Sequence, residues 1–316
     1  MKTGIVIRST GSWFNVRDDD GIRYECRIRG NLRIKGLKTT NPVAVGDRVD
    51  FQYLEKESHD RQTKIGTIHT IHERKNYIIR RSQNLSHQAH IIASNIDQAF
   101  LIATISYPVT TTTFIDRFLA SAEAYRIPVV LVFNKTDRYN AQQQQTLTDV
   151  TSLYASIGYP TLHTSAISNK GIDDLREMMM GKISVFNGHS GVGKSTLINI
   201  LQPGLQLRTC EISDSHEKGK HTTTFSELFE LDFGGYIIDT PGIKAFGMLE
   251  MEPWEISHYF REFFIVSSNC QFNNCSHTHE PGCAVKKAVE KGEIALSRYV
   301  SYLGLLETDE KYRPSF

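Results

Sequence analysis

The chain has 316 residues, 40% of them hydrophobic and 22% charged, with a formal net charge of +1. That composition allows two or three domains with cores of their own and excludes wholesale disorder. The longest apolar run, Ile127 to Phe133, is far short of the roughly 20 residues a membrane helix needs, and MKTGIVIRSTGSW lacks the apolar stretch of a signal peptide, so a cytoplasmic protein without a membrane partner is expected.

The charge is unevenly spread. Residues 1–84 carry 17 Lys+Arg against 10 Asp+Glu, and the remaining 232 carry 19 against 25. A basic segment on an acidic body points to a polyanion contact at one end. Within it, Gly4–Arg8, Trp13–Val16, Tyr24–Ile28, Arg48–Tyr53 and Lys64–Ile71 are β-rich runs separated by turn chemistry such as Asp18-Asp19-Asp20-Gly21. Strands this short and this closely spaced predict a small closed barrel of the OB type. Arg8, Arg17, Arg23, Arg27, Arg29, Arg33, Lys35 and Lys38 interleave with Trp13, Phe14 and Tyr24, a pattern that binds RNA by charge and stacking. The same aromatics equally suit the inside of the barrel.

From about residue 90 the period changes. Asn95–Ser106, Ile127–Phe133, Lys182–Asn187 and Tyr236–Asp239 read as strands, and Thr113–Tyr125, Gln142–Ile157 and Gly171–Met180 as helices. Such alternation predicts a parallel sheet covered on both faces. The tracts Thr110–Thr113 and Gln142–Gln145 read as surface without a role. After about residue 246 come a helix, a cysteine-bearing loop and one final helix near Ala284–Leu306.

Four motifs carry chemistry. Asn134-Lys135-Thr136-Asp137 follows an apolar strand, where the Asp137 carboxylate can accept from the N1–H and 2-amino group of guanine but repels the bare N1 acceptor of adenine. Asn134 would bond the base edge and the Lys135 stem would lie over the ring, with Ser165 and Ala166 of Thr164-Ser165-Ala166 as a candidate backbone buttress. Gly188-His189-Ser190-Gly191-Val192-Gly193-Lys194-Ser195 is a phosphate loop between a strand and the helix that opens at Thr196. Its N–H groups and helix N-terminus favour an anion, Lys194 would reach the β- and γ-phosphates, and the Ser195 hydroxyl would ligate Mg²⁺. Asp239-Thr240-Pro241-Gly242, behind the strand Tyr236–Asp239, places Asp239 next to the metal's ligands and the Gly242 N–H at the γ-phosphate. The polar stretch before it ends in His221-Thr222-Thr223-Thr224, one of whose threonines is expected as a second Mg²⁺ ligand, with Thr223 as the candidate. Finally, Cys270, Cys275, His277 and Cys283 form a tetrahedral zinc set with no position left open, so a structural Zn²⁺ is expected, with His279 as a competing ligand. Cys26 and Cys210 read as small buried hydrophobes.

In ordinary GTPases the phosphate loop comes first and Asn-Lys-x-Asp comes late. Here Asn134–Asp137 and Ser165-Ala166 precede Gly188–Ser195, which precedes Thr222–Thr224 and Asp239–Gly242. In this permuted order, and in its barrel and cysteine/histidine segment, nearly the whole chain resembles the circularly permuted RsgA (YjeQ) GTPase family. The resemblance implies an RNA-binding barrel over 1–84, a permuted α/β P-loop GTPase domain over 85–245 and a helical zinc-binding domain over 246–316. It also implies a monomer that hydrolyses GTP to GDP and phosphate, stimulated by the small ribosomal subunit and its rRNA, in late maturation of that subunit. The competing reading is an RNA-binding module that senses GTP with little hydrolysis. Ile243 stands where Ras-like enzymes place a water-orienting Gln, so slow turnover of the free protein is expected, with His221 as the candidate replacement.

Overall fold

The computed structural model describes residues 1–28, 42–54, 64–81, 89–205, 226–239 and 253–311. In chain order, strands β1 (Lys2–Ser9), β2 (Phe14–Asp18), β3 (Arg23–Ile28), β4 (Arg48–Leu54), β5 (Lys64–Ile71), β6 (Tyr77–Arg81), β7 (Ala89–Ser94) and β8 (Gln98–Ala103) come first. Next are α1 (Thr112–Ala124), β9 (Val129–Phe133), α2 (Ala141–Ser156), β10 (Thr161–His163), α3 (Ile172–Met179), β11 (Ile183–Asn187), α4 (Lys194–Leu201), β12 (Glu227–Glu230) and β13 (Tyr236–Asp239). Helices α5 (Pro253–Ile256), α6 (Arg261–Ser267), α7 (Ala284–Glu290) and α8 (Leu296–Lys311) follow. Among the described residues, no helix is long and apolar enough to cross a membrane. The chain forms two compact units, one of residues 1–98, 174–186 and 198–245, the other of residues 99–173, 187–197 and 246–316.

The first unit contains the barrel. Alternating burial along β2 and β3 turns one face of each strand inward. β2 lies antiparallel between β1 and β3, β3 runs parallel to β5, β5 antiparallel to β4, and β4 returns to β1, so five strands close on themselves. Closure leaves no free sheet edge to aggregate. Phe14 and Tyr24 fill the interior with Val6, Val16, Phe51 and Ile68, which takes both aromatics away from any RNA-stacking role. Trp13 is half-buried beneath Arg27, whose guanidinium carbon lies 3.8 Å from the ring centroid. Arg8 pairs with Glu227 at 3.8 Å, and Arg17 pairs with Glu230 at 2.7 Å and donates to the Tyr236 hydroxyl. Those two arginines therefore tie the barrel to β12 and β13. Arg29, Arg33, Lys35 and Lys38 lie outside the described residues. Cys26 is buried, which pushes its thiol up to about 12, as an inert core residue requires.

Asp47 fastens the β6–β7 hairpin to this barrel. Its fully buried carboxylate accepts from the Ala44 N–H at 2.7 Å, twice from Arg74 at 2.6 Å and from the Ser94 hydroxyl at 2.6 Å. Truncating it would strand a nearly buried guanidinium. Asp47→Ala is expected to cost about 3–5 kcal/mol in urea unfolding, and the double change Asp47→Leu/Arg74→Met, which removes both charges, to recover much of that loss. A loss in Asp47→Ala below about 1 kcal/mol would show that the pair is solvent-screened.

In the second unit, β9 runs parallel to both β8 and β10. Every residue of β8 and β9 is buried, as strands covered on both faces require. The threonine and glutamine tracts have roles. Thr110 is buried and its hydroxyl accepts from the Thr104 N–H, while Thr111 caps α1. Gln143 completes a capping box with Asn140, and Gln144 donates to the Thr136 carbonyl at 3.1 Å. The expected final helix is two helices. The Gly292 N–H bonds the Val289 carbonyl and the Glu293 N–H reaches back to Ala288, the closing pattern of a helix C-terminus. Helices α5 to α8 enclose a core of Ile256, Phe260, Phe263, Val285, Tyr302 and Leu305, which Ala120 of α1 joins.

Candidate functional site

The phosphate loop turns between β11 and α4, and its shape depends on two glycines. A Cβ on Gly188 (φ +145°) would lie 2.2 Å from the Ile102 carbonyl oxygen, and one on Gly193 (φ +98°) 2.4 Å from Asn134 Nδ2. Only glycine permits that approach. Lys194 Nζ donates to the Gly188 and His189 carbonyls at 2.8 and 2.6 Å, so the ammonium lies over the loop. Ser190, Ser195 and Thr196 are exposed, the last two in the first turn of α4, where the N–H groups and the dipole favour an anion. The Ser195 hydroxyl is a hard oxygen donor, the ligand type that Mg²⁺ takes.

Asn134-Lys135-Thr136-Asp137 follows β9 and is bonded directly to the phosphate loop. Asn134 is buried. Its Nδ2 donates to the Val192 carbonyl at 2.9 Å and its Oδ1 accepts from Thr164 at 3.1 Å. Lys135 adopts the left-handed conformation, and its Nζ donates to the carbonyls of Gly191 at 2.6 Å and Tyr107 at 2.7 Å. Burial, with Arg138 nearby, pulls the Lys135 ammonium below its ordinary value. The Thr136 hydroxyl donates to the Thr164 carbonyl, and the exposed Asp137 carboxylate accepts from the Ser165 hydroxyl at 2.5 Å. Ala166 is half-buried beside it in sequence. A carboxylate aimed outward, fixed from behind by Ser165 and resting on a loop tied to a phosphate cradle, is suited to donor groups on a base. Asp239 ends β13, opposite Glu227 of β12. His221, Thr223, Gly242, Ile243 and Cys210 lie outside the described residues.

The ligand atoms of Cys270, Cys275, His277 and Cys283 all lie within 4.8 Å of one another, and three of the four residues are buried. His277 Nδ1 faces the sulfurs, at 3.7 Å from Cys270 and 3.4 Å from Cys283. The Ala284 and Lys286 N–H groups donate to Cys270 and Cys283, as they would to thiolates. Burial pulls the His277 imidazole down, toward the neutral form a metal needs, and pushes the Cys275 thiol up to about 12, so a metal must displace its proton. The donor set fits a metal ion, which these four side chains can hold. His279 stands apart, exposed and bonded to Thr278.

Several supporting residues escape sequence reasoning. Tyr299 and Tyr302 of α8 donate to the carbonyls of His277 (2.7 Å) and Ser276 (2.6 Å). Burial opposes the Glu280 charge, but hydrogen bonds from Ser276 and Thr278 outweigh it and hold the carboxyl at about 2. Phe114 stacks on His189, with ring centroids 3.8 Å apart. None belongs to a recognisable pattern. Glu280 alone stands in a run of polar loop residues, Ser276 to His279, of the kind that turn chemistry uses.

A base-recognition motif placed ahead of a phosphate loop, on a parallel sheet with a barrel before it and a Cys₃His cluster behind, defines a circularly permuted GTPase. Residues 71–249 match the RsgA GTPase family and residues 3–59 the RsgA N-terminal domain. This chain belongs to the RsgA family of GTPases. It is 57% identical to the small ribosomal subunit biogenesis GTPase RsgA of Flavobacterium johnsoniae, over 98% of this chain and 94% of that protein. With the protein of the same description from Bacteroides fragilis it shares 56% identity over 99% of each. The crystal structure of YjeQ from Thermotoga maritima superposes with a TM-score of 0.79 at 36% identity, covering 99% of both chains. That of YloQ, a circularly permuted GTPase, gives 0.76 at 30% identity, covering 100% of this chain and 97% of the other.

Proposed function

We propose that this protein hydrolyses GTP to GDP and phosphate when docked on the small ribosomal subunit, and acts in late maturation of that subunit in the cytoplasm, as a monomer. The observation that carries the reading is the joining of the base motif to the phosphate loop: Asn134 holds Val192 and Lys135 holds Gly191, so one rigid body presents a carboxylate for the base and a cradle for the phosphates.

In this reading Asp137 selects guanine, with Asn134, Lys135, Thr136, Ser165 and Ala166 around the base. Gly188 to Thr196 hold the phosphates. Bound Mg²⁺ would neutralise charge on the β- and γ-phosphates. Ser195 and Thr223 would hold it, with Asp239 behind them and the Gly242 N–H on the γ-phosphate. His221 would orient the attacking water, because the residue after Gly242 has no hydrogen-bonding group. Cys270, Cys275, His277 and Cys283 would hold zinc, whose preference for thiolate and imidazole in a tetrahedral set matches these donors. The barrel over 1–84 and the metal-bearing helices over 246–316 would dock on rRNA, with 85–245 as the nucleotide domain.

Hydrolysis measured with and without purified small subunits tests this. Stimulation of at least about tenfold is expected, which needs only about 1.4 kcal/mol off the barrier. No stimulation would end the ribosomal reading. His221→Ala should lower the stimulated rate while leaving GTP affinity nearly unchanged. Asp137→Asn should weaken GTP binding and favour xanthosine triphosphate, whose 2-oxo group can accept from the new amide. Equal GTP affinity in variant and wild type would remove the guanine assignment.

A further inference from the structure

Helix α1 touches two parts of the molecule that the proposed function must connect. At its first turn Phe114 stacks on His189 of the phosphate loop, centroids 3.8 Å apart and planes 31° apart. Two residues on, fully buried Asp116 accepts from Arg298 Nη1 of α8 at 2.7 Å and from the Tyr154 hydroxyl at 2.7 Å. Arg298, 1% exposed, also bonds Glu262 of α6 at 2.6 Å and 3.1 Å. Near the far end of α1, Glu123 accepts from Arg261 of α6 at 2.7 Å. Beside Arg298 in α8 stand Tyr299 and Tyr302, which hold the carbonyls of the metal loop.

These contacts form an unbroken line from the Cys₃His cluster through α8 to Asp116, along one turn of α1 to Phe114, and into the phosphate loop. A buried, charge-assisted pair resists small displacements, because moving either partner leaves a charge unpaired away from water. A shift of α8 must therefore be passed to α1. The phosphate loop is pinned elsewhere by Asn134 and Lys135, which follow β9, and the His189 stack is a contact through which α1 reaches it.

We propose that α1 couples the metal-bearing helices to the phosphate loop, with Phe114 as a positioning residue for His189 and Asp116–Arg298 as its anchor. Docking of the C-terminal helices then alters nucleotide affinity, and nucleotide binding alters docking by the same factor. This rests on the nucleotide-site reading above and deepens it with a route of control.

A double-mutant cycle on the full metal-loaded chain tests it, reading affinity for a fluorescent GDP analogue. Phe114→Leu and Asp116→Asn are each expected to weaken binding about fivefold, and the double variant by about the same fivefold and not by the product of about 25. Phe114→Tyr, which keeps the ring, should restore wild-type affinity. A merely structural role would lower the melting temperature without moving affinity. Product behaviour in the double variant, or unchanged affinity in Phe114→Leu, overturns the coupling. If Asp116→Asn does not fold, Arg261→Gln, which cuts the more exposed tie to Glu123, takes its place in the cycle with the same expectation. Wild-type protein that binds no guanine nucleotide would instead remove the nucleotide-site reading itself.

Discussion

Lys194→Ala should lower GTP turnover by at least about 100-fold, the usual effect of removing one preorganised charge from a phosphoryl-transfer site. The ammonium lies over the loop on the Gly188 and His189 carbonyls, and in the proposed site an incoming polyphosphate would draw it from those backbone oxygens onto phosphate oxygens. Losing those two bonds leaves the loop's other ties in place, since Asn134 and Lys135 hold Val192 and Gly191 from outside. The variant should thus keep the wild-type fold by circular dichroism and lose rate in single-turnover hydrolysis at saturating GTP. Retained rate in a folded variant would mean that the loop is no phosphate site.

Cys275→Ser is expected to abolish stoichiometric metal binding and unfold the C-terminal helices while leaving the barrel intact. Structural zinc contributes about 10–16 kcal/mol to small metal-dependent folds, comparable with or larger than the whole stability of a typical domain at about 5–15 kcal/mol. Cys275 and Cys283 belong to the core that holds Phe260, Phe263 and Tyr302, so loss of an ion held there would open that core from within. The barrel has its own core of Val6, Phe14, Tyr24 and Phe51, which includes none of the four ligand residues. Elemental analysis should find about one zinc per wild-type chain. Affinity should fall with acidification, since binding displaces the Cys275 proton and needs a neutral His277. Metal-free wild-type protein with the C-terminal helices folded would refute the assignment.

The motifs could be read before any coordinates because each is a short word whose chemistry is local. Gly188 to Ser195 needs only glycines, a lysine and a hydroxyl at a strand-to-helix turn. Asn134 to Asp137 needs only a strand before it. The barrel strands announced themselves by alternation, and β8 and β9 by unbroken apolar runs. Where such a signal is weak, the sequence does not mark the strand. β10 and β12 are three and four residues long, and they exist because β9 and β13 offer ladder partners. The break between α7 and α8 turns on a single residue, Gly292, whose left-handed backbone (φ +74°) closes α7 inside an otherwise helix-forming stretch.

The amino-acid order alone therefore carries the local chemistry of this protein: a glycine-rich turn with its lysine and hydroxyl, the Asn134–Asp137 motif, a thiolate–imidazole cluster, and their permuted sequence along the chain. Tertiary structure decided which polar residues do structural work. Asp116 and Arg298 are 182 positions apart, and Arg17 and Tyr236 are 219 apart. Read singly, a charged residue on a helix or strand is a solvated one, since burying it unpaired costs several kcal/mol. Only folding brings its partner within 3 Å and reverses that balance, and no local pattern records where the partner will be.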